Sequence, residues 1–194
     1  MNRKTILPIA TLLFLLAPLG QGAFALSASA TIRHQAGTPA VSRSDAQMTD
    51  DLADALGNYA FTEVYDWVEG SVDHGVASVA GFVVQPWHKE VLLARVRHIP
   101  GVRSVRDGIR VLPVSIFDDR LRVAARRALF GREFQQWSRL GNPPIHVVVD
   151  RGVVTLYGEV PSRVESTLAG SLVRTRTSAL TVVNRLNVTS GRRG

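Results

Sequence analysis

One block of this sequence occurs twice. Val72-Asp73-His74-Gly75-Val76-Ala77-Ser78-Val79-Ala80-Gly81-Phe82-Val83 returns 77 positions later as Val149-Asp150-Arg151-Gly152-Val153-Val154-Thr155-Leu156-Tyr157-Gly158-Glu159-Val160, with six of the twelve positions identical. The same register continues without a gap, pairing Val96 with Val173, Arg97 with Arg174, Val105 with Val182 and Val111 with Val188. A register held that far marks a duplicated unit, and each copy has to bury its own apolar face or lean on its neighbour. The chain, at 194 residues, is long enough for two such units and little else.

Each copy reads the same way. Ile145 to Val149 and Val153 to Tyr157 are β-branched runs separated by Asp150-Arg151-Gly152, and Asp73-His74-Gly75 repeats that connection. A short Asp-x-Gly link between such runs predicts a hairpin, with Gly75 and Gly152 supplying positive φ and Asp73 and Asp150 forming the turn. Gly81 and Gly158 fall inside the second strand of each hairpin, where a strand bends or another backbone comes close. Helical spacing follows at Trp87, Val91, Leu92 and Val96, and at Val164, Leu168, Leu172 and Val173 behind Pro161-Ser162. A last strand is predicted over Val105 to Leu112 and over Thr181 to Val188. An amphipathic helix precedes each hairpin, beginning at Asp50 in one copy and Asp118 in the other. In the second, Leu121, Ala124, Ala125, Ala128 and Leu129 make one apolar stripe. The predicted fold is α+β: two tandem α-β-β-α-β units, each with helices on one face of a three-stranded mixed sheet.

The block D-x-G-V-x-x-x-G-x-V, ahead of a helix and a strand such as Val183-Asn184-Arg185-Leu186-Asn187-Val188, resembles the BON domain. That family is named for osmotically inducible and nodulation proteins of bacteria. The first copy departs from its pattern at Ala77 and Ala80, and the second at Ser178-Ala179 and in a longer connection from Gly131 to Pro144. The resemblance implies a non-enzymatic periplasmic module without cofactor, of a kind that associates with anionic phospholipid during envelope maintenance or osmotic stress.

The first residues read as an address. Arg3 and Lys4 precede an apolar run from Ile6 to Leu19, and small residues follow to Ala25. This is the layout of a secretory signal cut after about Ala25, and the run is short, with Pro8 and Pro18 inside it, for the ~20 apolar residues of a membrane span. The chain is thus divided into a signal peptide (1–25), a flexible leader (26–46), a first unit (47–113), a linker (114–117), a second unit (118–189) and a tail (190–194). The expected location is the periplasm.

Export narrows what the formal charge of +7 means, because an exported basic protein meets anionic lipid more often than nucleic acid. Residues 47–113 carry six basic and nine acidic side chains, whereas residues 117–194 carry thirteen arginines and six acids. The second unit is the candidate anionic-surface binder. Its expected lipid-binding residues are Arg120, Arg122, Arg126, Arg127, Arg132 and Trp137, since arginine beside an aromatic ring suits a membrane interface. The same residues would also make an ordinary solvated helix face. A periplasmic protein-interaction adaptor or scaffold, docking through strand edges or Trp87 or Trp137, is the alternative. No cysteine is present, which excludes disulfides, thiol nucleophiles and a lipidated anchor. The five histidines show no metal-ligand spacing, and Ser71, Asp73 and His74 are too nearly contiguous on a strand to act as a nucleophile cluster. No metal, no cofactor and no catalysis are expected.

Overall fold

The computed structural model describes residues 43–58, 63–140 and 142–189. The expected signal peptide, residues 26–42 of the expected leader and the tail at 190–194 lie outside the described residues.

The first helix, α1 (Asp45–Gly57), begins ahead of the expected Asp50. Ser44 sets that start: its hydroxyl accepts from the Gln47 amide at 3.2 Å while the Gln47 side chain accepts from the Ser44 amide at 3.0 Å. This reciprocal box satisfies two amides that a helix N-terminus otherwise leaves open. Strands β1 (Trp67–Asp73) and β2 (Val76–Val83), helix α2 (Pro86–Arg97) and strand β3 (Ser104–Val111) complete the first unit. The second repeats the order as α3 (Ile116–Phe130), β4 (Ile145–Asp150), β5 (Val153–Val160), α4 (Arg163–Arg176) and β6 (Thr181–Val188), with a short 3₁₀ turn at Gln135–Trp137. Ser115 caps α3 by accepting from the Asp118 amide, which draws Ile116 and Phe117 out of the expected linker into the first helical turn.

In each unit the central strand pairs antiparallel with its hairpin partner and parallel with the last strand, giving the orders β1-β2-β3 and β4-β5-β6. The fold is two α-β-β-α-β units with three-stranded mixed sheets. Met48 and Leu52 from α1 and Leu92, Leu93 and Val96 from α2 bury against Val72, Ala77, Val79 and Ile109 of the first sheet. Leu121, Ala125 and Leu129 from α3 and Ala169, Leu172 and Val173 from α4 do so against Ile145, Val147, Val149, Val154 and Leu156.

Two helix faces differ from the expectation. Trp87 and Val91 are exposed, at 46% and 37%, and the inward position of α2 is held by His88. His88 is fully buried because Asp66, also buried, accepts from its Nδ1 at 2.5 Å. Asp66 takes a second bond from the Val84 amide at 2.8 Å; burial nevertheless raises its pKa above the ordinary carboxylate value. In α4, Val164 and Leu168 likewise face solvent.

The hairpins turn on two residues each, and both residues are left-handed: His74 and Gly75 at φ 49° and 72°, Arg151 and Gly152 at 49° and 79°. That pattern is a type I′ turn, whose twist matches the strands it joins. The carboxylates that hold these turns are not Asp73 and Asp150. Asp45 accepts the His74 and Gly75 amides at 2.7 and 2.9 Å, and Asp118 accepts the Arg151 and Gly152 amides at 2.9 and 2.8 Å. Each first helix therefore clamps the turn of its own hairpin. Gly81 and Gly158, at φ 145° and 115°, sit where a Cβ would collide with the carbonyl oxygens of Trp67 and Pro144.

The units are clasped together. Val64, just ahead of β1, lies in the core of the second unit, and its carbonyl accepts from the Val147 amide at 2.7 Å. Trp67 stacks flat on Tyr157 of β5, with ring centroids 5.6 Å apart, and leans on His146 of β4 at 5.2 Å.

Candidate functional site

Helix α3 carries most of the residues expected to meet an anionic surface, and the fold sorts them into separate groups. Arg120 and Arg127 are exposed and alternate along the helix with Ile116 and Val123, which are 71% and 44% exposed. Positions 116, 120, 123 and 127 recur at the spacing of one helical face. The outward line of α3 is therefore apolar–basic–apolar–basic.

Arg126 points elsewhere, into a cavity of about 340 Å³ that it shares with Tyr65, Phe130, Trp137 and Leu140. Trp137 is half-buried and stacks on Phe134 with centroids 4.8 Å apart and planes only 4° off parallel. Burial raises the Tyr65 pKa, with Arg126 opposing, so the phenol stays a neutral donor at the cavity wall. Arg132 lies beyond the end of the helix and is exposed.

Arg122 departs from the expectation. It is 3% exposed, its guanidinium pairs with Asp119, and Nη2 donates to the Val149 carbonyl at 2.9 Å. The end of β4 offers a buried carbonyl beside α3, and a fork of N–H groups satisfies it. Arg122 ties helix to sheet and is not available to a surface partner.

At the turn end of the second unit lies a patch that sequence reasoning missed. Phe117 and Leu180 both sit over Gly152, at 49% and 75% exposure, next to Ile116 on the same helix. The duplicated architecture supplies the comparison. Leu180 and Arg103 occupy equivalent positions, each donating its amide to the turn glycine, Gly152 or Gly75. In the first unit the Arg103 guanidinium folds over Gly75 and donates to the His74 carbonyl, so that tip is polar. The signal in the sequence was the alternation of Ile116, Arg120, Val123 and Arg127, together with Leu180 opposite Arg103.

The remaining chemistry is sparse. Among the described residues, Asp45, Asp73 and His74 form the one group with ligand atoms close enough to hold a metal ion. Both Asp45 oxygens already accept the turn amides of Gly75 and His74, which hold its carboxyl below the ordinary value, and the second copy has Arg151 in place of His74. Across the second unit, Arg176 forks onto Glu133 at 2.7 and 3.1 Å, lowering the Glu133 pKa. No helix among the described residues is long and apolar enough to cross a membrane.

No curated protein matches the chain. Among solved structures it is similar to CdsD, described as a structural protein of the type III secretion system of Chlamydia trachomatis. That likeness is 14% identical, covers 73% of this chain and 92% of the other, and has a TM-score of 0.28. The C-terminal domain of CdsD is similar at 13% identity, 75% and 99% coverage and a TM-score of 0.29. Likenesses this weak carry no argument. The model of the BON domain matches twice, over residues 44–113 and 124–190, one match on each helix–hairpin–helix–strand repeat. BON domains are generally binding domains without catalytic activity, and by these two matches the chain belongs to the BON domain family.

Proposed function

We propose that this is an exported envelope protein whose second unit rests on anionic phospholipid, supporting membrane integrity or tolerance of osmotic stress. The observation that carries the reading is the outward line of α3, Ile116–Arg120–Val123–Arg127, continued at the turn end by Phe117 and Leu180. Arginines meet lipid phosphates while the apolar side chains between them reach the head-group boundary. The equivalent tip of the first unit is polar, so the second unit is the one that docks. Each basic residue near an anionic surface contributes up to ~1 kcal/mol, which makes the attachment reversible.

Sedimentation with vesicles tests it. Binding to phosphatidylglycerol vesicles, lost in high salt and absent with phosphatidylcholine alone, is the expected result. Replacing Arg120 and Arg127 with Gln removes up to ~2 kcal/mol, or roughly thirty-fold in affinity. Binding indifferent to lipid charge overturns the reading.

A second reading, a periplasmic adaptor, is favoured by one observation. Trp87 and Val91 on α2 are exposed, and so are Val164 and Leu168 at the equivalent positions on α4. Envelope proteins captured by the wild type, lost on Trp87→Ala but kept by the Arg120/Arg127 variant, would support it.

A further inference from the structure

The cavity of about 340 Å³ beside Arg126 is assembled from three stretches of chain. The segment ahead of β1 brings Glu63, Val64 and Tyr65, α3 brings Arg126 and Phe130, and the connection from Gly131 to Pro144 brings Trp137 and Leu140. Val64 and Phe130 are buried, whereas Glu63 and Arg126 are exposed and Tyr65 and Trp137 half-buried. A molecule entering the cavity therefore reaches the charged groups directly. The first unit lacks the equivalent: aligned on the clamping aspartates, Asp45 and Asp118, the first helices place Ala53 and Gly57 where α3 has Arg126 and Phe130.

Glu63 and Arg126 carry opposite charges on one small cavity, yet they do not pair with each other. Among the described residues neither side chain has an ion pair or a hydrogen bond, and the Tyr65 hydroxyl has none either. Burial raises the Tyr65 pKa, Arg126 lowers it and Glu63 raises it, so both charges act on the same phenol. The charge balance restricts the occupant. A simple anion meets repulsion from Glu63, a simple cation meets it from Arg126, and a hydrocarbon answers neither charge. A zwitterion answers both, with its carboxylate forked by the guanidinium and its ammonium on the Glu63 carboxylate. The rings of Phe130 and Trp137 and the side chain of Leu140 add walls for an apolar body. By comparison with a cavity of ~150 Å³ that holds benzene, the space admits about thirteen non-hydrogen atoms, the size of phenylalanine.

We propose that this cavity binds a free amino acid with a large apolar side chain, its carboxylate on Arg126, its ammonium on Glu63 and its side chain against Phe130, Trp137 and Leu140. L-Phenylalanine is the probe. In ¹⁵N-labelled protein its addition is expected to shift the indole N–H signal of Trp137 saturably, and titration calorimetry gives the affinity. Three analogues each remove one element: phenylalanine amide the carboxylate, N-acetylphenylalanine the ammonium, and glycine the apolar side chain. Each should bind at least about ten-fold more weakly, the worth of one charge-assisted contact or of the buried ring. Arg126→Gln should weaken phenylalanine about ten-fold and leave it no tighter than its amide. Glu63→Gln should do the same relative to N-acetylphenylalanine. Both residues are exposed, so neither change disturbs the core. The Arg120/Arg127 variant should bind phenylalanine normally, which separates this site from the proposed lipid-facing surface. A shift that rises linearly, a shift confined to the other two indoles, equal binding of glycine or of either blocked analogue, or unchanged preference in the two Gln variants each overturns the proposal.

Discussion

Removing the Asp118 carboxylate should cost the second unit far more than its small size suggests. Asp118 is 1% exposed and accepts two backbone amides across 33 and 34 residues of sequence, from Arg151 and Gly152. Hydrogen bonds to a charged acceptor are worth ~1.5–3 kcal/mol each. In Asp118→Ala the Arg151 amide, on an exposed residue, regains water, whereas the Gly152 amide belongs to a buried one and stays dry. The sum therefore falls near ~3 kcal/mol rather than twice that. At ~2–4 °C per kcal/mol for a body of this size, the melting temperature drops by about 6–12 °C. Scanning calorimetry measures it, and amide exchange at Arg151 and Gly152 localises it. Asp45→Ala is the built-in control: the same two bonds, on a carboxylate that is only half-buried, should give a smaller loss. A loss below ~1 kcal/mol for Asp118→Ala, or an equal loss for the two variants, would refute the reasoning that buried, charge-assisted bonds clamp the second hairpin.

Three further outcomes follow from the same structure. Arg122→Met leaves the Val149 carbonyl without its donor and should lower stability by ~1–3 kcal/mol in urea titration, with vesicle sedimentation unchanged; a selective loss of vesicle binding would contradict its inward placement. Gly158→Ala drives a Cβ into the Pro144 carbonyl at a positive φ and should cost at least ~2 kcal/mol in the same titration, so a neutral result would mean the strand bend is softer than drawn. Burial holds the His146 pKa below its ordinary 6.5, with the carbonyls of Asp66 and Glu63 opposing. The folded chain thus binds that proton less tightly than the unfolded one, and the stability tied to His146 is lost as pH falls through that value. His146→Gln should accordingly lose less stability than wild type between about pH 7.5 and 5.5; an identical pH dependence would rule out the buried, neutral ring.

The order of elements was legible because it rests on local signals. Asp-x-Gly between β-branched runs is chemistry confined to a few residues, and the repeat let each copy vouch for the other. The helix faces were less legible, because side-chain position at the edge of a stripe is decided by groups far away in sequence. Trp87 and Val91 recur at the same period as His88 and Leu92, one residue of rotation apart. What selects the second pair is Asp66, twenty-two residues upstream, which offers His88 a buried carboxylate. Arg122 flanks the stripe of α3 and is drawn inward by a carbonyl at the end of β4, twenty-seven residues away. Val64 enters the core of the other unit altogether, which no period within its own copy encodes.

Duplication explains why these misses fall where they do. Two copies that keep the same clamp, the same turn and the same strand bend are free to differ only at positions the shared frame does not need. Arg103 and Leu180 are such positions: each donates its amide to the turn glycine, and only the side chain differs, folding back as a polar cover in one unit and standing out as an apolar tip in the other. The charge difference between the units runs the same way, with the arginines concentrated in the copy that has the apolar tip. A solvated face would carry arginine without neighbouring exposed Ile116, Phe117, Val123 and Leu180, since isolated surface charge gains nothing from exposed hydrocarbon. The coincidence of the two on one copy of an otherwise shared frame is the ground on which the proposed docking surface stands against an ordinary basic helix.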